Sequence, residues 1–189
     1  MTTVHFPDHL LTLDDWIALP EDNSRSYELV EGVLVVSPRP MSKHQRAIWR
    51  LAAMLEPQLP AGYGVLTETE VVIEPGPPTT VRVPDVIAVS AAGIEENRPR
   101  WNPEDVLLAV EVVSVGSKRT DRVTKLVEYA EVGIEHYWLF DLDDPVSLTA
   151  YRLINGEYEL VGEKSGLAVL DLADTTIMLD LAALVSARG

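Results

Sequence analysis

The sequence contains no cysteine, only four histidines and two phenylalanines, and half as many basic as acidic residues. Without cysteine there is no disulfide framework, no thiolate zinc site and no cysteine nucleophile, so any metal must be held by oxygen or imidazole. Oxygen ligands favour Mg²⁺, Mn²⁺ or Ca²⁺. His5, His9, His44 and His136 show no paired metal-binding spacing on one helix; His5 and His9 are four apart, but in a tail expected to fray. A histidine-rich metal centre is thereby excluded. No window approaches the roughly 18 consecutive apolar residues of a membrane span, and Met1–His5 lacks the basic-then-apolar signal-peptide pattern. The expectation is a cytoplasmic protein with no membrane partner. There is no glycine-rich phosphate loop and no Gly-x-Ser-x-Gly elbow. Finally, 15 basic against 30 acidic residues give a formal charge of −15, which opposes general attraction to a polyanion. That counts against a dedicated nucleic-acid binder but leaves room for an enzyme whose cleft is locally basic or bridged by metal.

What is present suits one globular domain over residues 1–189: 47% of the residues are hydrophobic and 24% charged, with no repeat or low-complexity run. Thr12, with Asp15 three residues on, predicts the cap of a short helix ended by Leu19-Pro20. Tyr27–Val30 and Val33–Val36 flank Glu31-Gly32 as a hairpin, with Glu31 read as a turn residue. From Ser42 to about Leu55 the period is helical. His44, Ile48, Leu51, Ala52 and Leu55 form its core stripe, and Lys43, Arg46 and Arg50 an opposite face of solvated charge. Strands are predicted at about 65–73, 81–90 and 106–114. A second helix spans about 118–131, with Val123, Leu126, Val127 and Ala130 as its buried stripe, and leads into a strand at 135–140 as a βαβ-like crossover. Val146–Leu153 and Glu157–Glu163 read as a terminal hairpin across Asn155-Gly156, and Leu179–Ser186 as a short closing helix.

The chemistry is carried by acids in apolar strands. Glu111 lies within Val106–Ser114, and Asp85 begins the apolar run that follows Pro84. An ionised carboxylate buried without a counter-charge costs several kcal/mol, so such a group pairs, protonates or binds a metal. Two of them on two apolar strands suggest a cation site. The plainer alternatives remain open at this level. Asp85 can cap a strand through local backbone bonds, and Glu111 can pair with Arg82 or Lys125. Asp121, Lys125 and Tyr129 fall at i, i+4 and i+8, a stripe separate from the apolar one. That spacing predicts a Lys125 directed away from the core, reaching a cleft or paired on the surface with Asp121 or Glu128.

Pro84-Asp85, Glu111-Val112-Val113-Ser114, Asp121, Lys125, Tyr129-Ala130, Gly133-Ile134 and Tyr137-Trp138 together resemble the Uma2 family, also called DUF820, of PD-(D/E)XK nucleases. Tyr27–Gly32, Ser37-Pro38 and His44 fit the same pattern, and the resemblance covers roughly residues 10 to 155. It implies an α/β, restriction-endonuclease-like fold: a mixed β-sheet flanked by helices, here with hairpins near both ends. It also implies divalent-metal phosphodiester hydrolysis, with Mg²⁺ or Mn²⁺ held by Asp85, Glu111 and the Val112 carbonyl. Val113 stands where these enzymes usually carry lysine, and Lys125 is the matching position for a lysine moved to the following helix. Glu28 is implied to line the site, whereas the roles of His44 and Glu31 stay open. The implied partner is nucleic acid, DNA ahead of RNA, and the implied assembly is a homodimer. Two other functions compete: a catalytically silent nuclease-fold module, and a metal-dependent hydrolase of small phosphate esters, which the charge hinders less.

Overall fold

Short apolar runs broken by proline, glycine and turn residues give many strands and few helices. A computed structural model describes residues 9–20, 22, 24–114 and 116–186; His5 lies outside them. Thr12 caps α1 (Leu13–Ile17) through the reciprocal bonds with Asp15 that the sequence predicts. β1 (Arg25–Val30) and β2 (Val33–Pro38) then pair antiparallel across Glu31 and Gly32, both at positive φ. α2 (Ser42–Leu55) buries Ala47, Ile48, Leu51 and Leu55. Its cations are less solvated than the sequence suggests. Lys43 Nζ donates to the Leu142 carbonyl at 2.6 Å, and Arg50 donates to the carbonyls of Ala183 and Ser186, tying the helix to the chain's end.

The strand expected at 65–73 is two strands, β3 (Tyr63–Thr67) and β4 (Glu70–Glu74), in different sheets. Glu68, at φ 49°, turns the chain between them. The strand expected at 81–90 likewise divides into β5 (Thr80–Arg82) and β6 (Val86–Ser90). Val83-Pro84-Asp85 forms the break, since proline cannot donate to a ladder. After α3 (Ala91–Glu95) come β7 (Arg100–Trp101) and β8 (Val106–Val113), the latter buried throughout. A π-type turn (Thr120–Thr124) runs into α4 (Lys125–Glu131), which returns the chain to β9 (His136–Asp141), parallel to β8. This is the expected crossover.

β10 (Ser147–Ile154) and β11 (Glu157–Ser165) form the hairpin expected across Asn155-Gly156, but it is not the last one. β12 (Leu167–Leu172) and β13 (Thr175–Asp180) make another, turning at Ala173-Asp174 with both residues at positive φ. That turn lacks glycine, so the sequence carries no strong signal for it. The closing helix expected at Leu179–Ser186 is instead the end of β13 followed by one 3₁₀ turn, Ala182–Leu184.

The central sheet has the order β11-β10-β9-β8-β6-β3 and is mixed, with β8–β9 parallel and its other pairs antiparallel. Side chains alternate across β8. Leu108, Val110 and Val112 pack on the α2 side with Ile48 and Leu51, whereas Ala109 and Val113 pack on the other with Tyr129 and Tyr137. β2-β1-β5-β4-β7 form the second sheet, which lends Val71, Ile73 and Trp101 to that second layer.

Candidate active site

The alternation places Glu111 on the α4 side of β8, between the apolar Ala109 and Val113 of the same strand face. The β6–β8 register pairs Val86 with Val110 and Ile87 with Ala109; extending it one step sets Asp85 opposite Glu111. Pro84 ends the ladder there, and the Asp85 carboxylate turns to the neighbouring peptide, accepting from Val112 N–H at 2.6 Å. Glu111 is 4% exposed. It accepts from Lys125 Nζ at 2.8 Å and Tyr129 OH at 3.0 Å, both at Oε1.

Lys125 is buried, against the expectation that it turns from the core. Its ammonium also lies 3.0 Å from Glu28 and 3.9 Å from Asp121. The whole stripe is inverted: Asp121, Lys125 and Tyr129 face inward, while Val123 and Val127 are 56% and 48% exposed and Leu126 and Ala130 only half-buried. Two causes act together. The π-type turn adds a residue and shifts the helical phase, and a buried Glu111 selects the polar stripe as its partner over the apolar one.

Glu28 is brought in by the second sheet, where β1 and β5 pair at Leu29 and Val81. It accepts from Val83 N–H at 3.1 Å and Arg82 Nη1 at 3.0 Å. Arg82, 2% exposed, forms a bidentate pair with Glu128, both bonds at 2.7 Å. Arg82 therefore serves Glu28 and Glu128 instead of Glu111, and clamps β5 to α4. Neither this clamp nor the inward place of Asp121 was legible from spacing, because both depend on which strands become neighbours. An arginine among the β-branched residues Thr79–Val83 was the available signal.

On the α2 side, His44 reaches the same strand end. Its Nε2 lies 2.8 Å from the Val112 carbonyl and 3.4 Å from Asp85, while Nδ1 is buried with no hydrogen-bond partner among the described residues. Glu31 sits in the hairpin turn, its N–H donating to Thr80 Oγ1 at 3.0 Å.

Burial pushes the Glu111 carboxyl well above the usual range, and Asp85, Asp121 and Glu28 push the same way against Lys125. Asp121 is raised by burial despite Lys125. Burial also opposes the charge on Glu28, but Lys125 and Arg82 outweigh it and hold that carboxyl below the ordinary value. Lys125 is raised: Glu111, Glu28 and Asp121 together overcome its desolvation. Three carboxylates, Glu111, Glu28 and Asp121, thus share one ammonium, with the Asp85 charge adding to theirs at Glu111 and Arg82 already divided between Glu28 and Glu128. The remaining negative charge must be met by a proton or by another cation.

Among the described residues no group of three or more His, Asp or Glu side chains is arranged to hold a metal ion. A set of two carboxylates, a peptide carbonyl and waters does not require such a group, and the hard oxygen donors and excess negative charge here suit a divalent cation. A cavity of about 340 Å³ lined by His136, Arg152, Asp171, Ala173 and Asp174 lies elsewhere; no residue of the carboxylate cluster lines it. Chemistry, not concavity, marks the candidate site.

The sequence pattern of the Uma2 family, described as "putative restriction endonuclease", matches residues 13–183. The chain belongs to the Uma2 family. It is similar in structure to a protein from Anabaena variabilis ATCC 29413 described as a "putative nuclease belonging to DUF820". That likeness has a TM-score of 0.69 at 20% identity, and covers 93% of this chain and 97% of the other. The two share the mixed α/β nuclease fold expected from the sequence. No curated protein matches the chain.

Proposed function

We propose that the chain is a divalent-metal-dependent endonuclease that hydrolyses phosphodiester bonds in nucleic acid. The observation that carries this is the meeting of Asp85, Glu111 and Lys125 at one strand end, with more carboxylate charge than the local cations balance. Membership of a family described as "putative restriction endonuclease" supports the same class of reaction. Asp85 and Glu111 would hold Mg²⁺ or Mn²⁺ through their oxygens, and Val112 would add its carbonyl, the group His44 Nε2 engages at 2.8 Å. When bound, such an ion neutralises charge on a non-bridging phosphate oxygen and acidifies a water. Glu111, Glu28 and Asp121 favour the protonated form of Lys125, which suits a cationic role and not that of a base. Its role is fixed positive charge beside Glu111 Oε1, where charge develops on the phosphate. Glu28, held by Arg82 and the Val83 N–H, orients that ammonium. DNA ahead of RNA as substrate, a single domain over 1–189, a homodimer and a cytoplasmic location complete the proposal.

Two measurements test it. Calorimetry should detect Mg²⁺ or Mn²⁺ binding that Asp85→Ala and Glu111→Ala each abolish while the variants remain folded; unchanged affinity would remove the site assignment. Metal-dependent cleavage across single-stranded, duplex and branched DNA and RNA should disappear in Glu111→Ala. A second reading draws on the enclosure of Lys125 by Glu111, Glu28 and Asp121, which also suits a structural ion cluster in a catalytically silent binding module. Metal binding without cleavage of any of these substrates would favour it.

A further inference from the structure

A chain of formal charge −15 must admit a polyanion if it is a nuclease, so the placement of its few cations matters. Of the 15 Lys and Arg, about half lie within residues 39–50 and 118–125, stretches that contain a single acid, Asp121. The fold brings Lys43 of the first stretch and Lys118 and Arg122 of the second to one corner. From α2, Lys43 donates to the Leu142 carbonyl at 2.6 Å. From the other side Lys118 Nζ lies 3.8 Å from Asp141 and 3.6 Å from Asp143, and Arg122 Nη2 lies 3.2 Å from Asp141. Asp141 pairs in register with Val113, two residues from Glu111, so this corner is the rim of the candidate site.

The local chemistry is unfavourable for a merely solvated helix start. Lys118 and Arg119 place positive charge in the first turn, against the helix dipole, and Lys118 and Arg122 are like charges at i, i+4. Lys118 and Arg122 side chains are 48% and 44% exposed, and their ion pairs with Asp141 and Asp143 are of the weak surface kind that an incoming phosphate can replace. Arg119 is exposed and has no ion-pair partner among the described residues. Cations kept in such positions, beside a site that would act on phosphodiesters, call for an anionic ligand.

We propose that Lys118, Arg119 and Arg122, with Lys43 across the corner, form a rail for the phosphate backbone that delivers a nucleic-acid strand to Asp85 and Glu111. The inference deepens the nuclease reading and rests on it. The rail contacts phosphates and not bases, so it supplies affinity and register without sequence preference.

The test is fluorescence anisotropy of the full chain with a labelled duplex DNA and the matching duplex RNA, in chelator, from about 50 to 200 mM salt. Arg119→Gln/Arg122→Gln is expected to weaken binding tenfold or more and to lower the log K against log salt slope by about two. Arg152→Gln/Lys164→Gln removes the same charge elsewhere and should leave both quantities unchanged. Should the double rim variant misfold, Arg119→Gln alone removes no ion pair among the described residues and should lower the slope by about one. An unchanged slope in the rim variants, an equal loss in the charge control, or no binding by the wild-type chain at low salt would overturn the rail. The two ideas fail separately. Wild-type cleavage with an unaltered rim slope removes the rail alone, whereas a lost slope with no cleavage by any metal-loaded protein removes the nuclease reading and keeps the rail.

Discussion

An ammonium surrounded by three carboxylates is a point where one atom's charge holds several elements together. Lys125 ties β8 through Glu111, β1 through Glu28 and its own helix through Asp121. Lys125→Met should cost about 3–5 kcal/mol, because it leaves buried charge unpaired. Urea denaturation checks this, and Lys125→Met/Glu111→Gln should recover part of the loss; a wild-type midpoint in Lys125→Met would mean the cluster is solvated. Burial also holds the His136 imidazole below its ordinary pKa, against Glu135, while Arg152 acts with burial. Its Nε2 lies 3.4 Å from Glu135 without making a hydrogen bond. The unfolded chain therefore binds that proton more readily. Stability from this group is present above the unfolded value, about 6.5, and is lost as pH falls through it toward the lower folded value. Unfolding midpoints should thus fall less between pH 7.5 and 5.5 in His136→Gln than in wild type; the raised pKa of His44 acts oppositely but equally in both proteins. At this scale the sequence exposed Glu111 and Asp85 by their apolar surroundings. It hid the pairing of Arg82 with Glu128, since spacing along the chain cannot say which residue faces another across two sheets.

Elements were legible where a periodic pattern had clear punctuation. α1 with its Thr12 cap, α2 and the hairpins at Gly32 and Gly156 follow the sequence closely. Prediction failed where one run of apolar residues served two sheets, as in β3 with β4, and where Ala173-Asp174 made a tight turn without glycine. It failed again where electrostatics chose the buried face of α4 and of the turn that leads into it. α3 offers a sharper test of element packing. A methyl group at Gly93 would stand 2.5 Å from Cζ3 of the buried Trp101. Gly93→Ala should therefore destabilise by about 1–3 kcal/mol through overpacking, despite alanine's better helix propensity. Thermal melting with near-ultraviolet dichroism of the indole would show it; a stabilised variant would mean that Trp101 yields freely.

For the whole molecule, the family and the mixed fold were readable, because order and spacing of many weak motifs constrain topology more than any one motif does. The metal, the assembly and the substrate were not, since they depend on convergence in three dimensions and on partners. A cation that binds only the folded state at a concentration of 100 Kd stabilises by about 2.7 kcal/mol. For a domain of this size that is roughly a 5–10 °C rise in Tm. Saturating Mn²⁺ should produce such a rise in scanning calorimetry and Asp85→Asn should abolish it; the same rise in both proteins would indicate only screening of the acidic surface.

The step of register that sets Asp85 opposite Glu111 has a consequence for how the protein comes into being. The two acids meet only when β6 and β8 have zipped in the correct alignment, and the Val112–Asp85 bond spans 27 residues of sequence. A slip of one residue would turn every side chain of the strand to the opposite layer and separate the pair. No fragment or nascent chain lacking either strand can bring the two acids together, so the pair forms only once the chain has been made through β8.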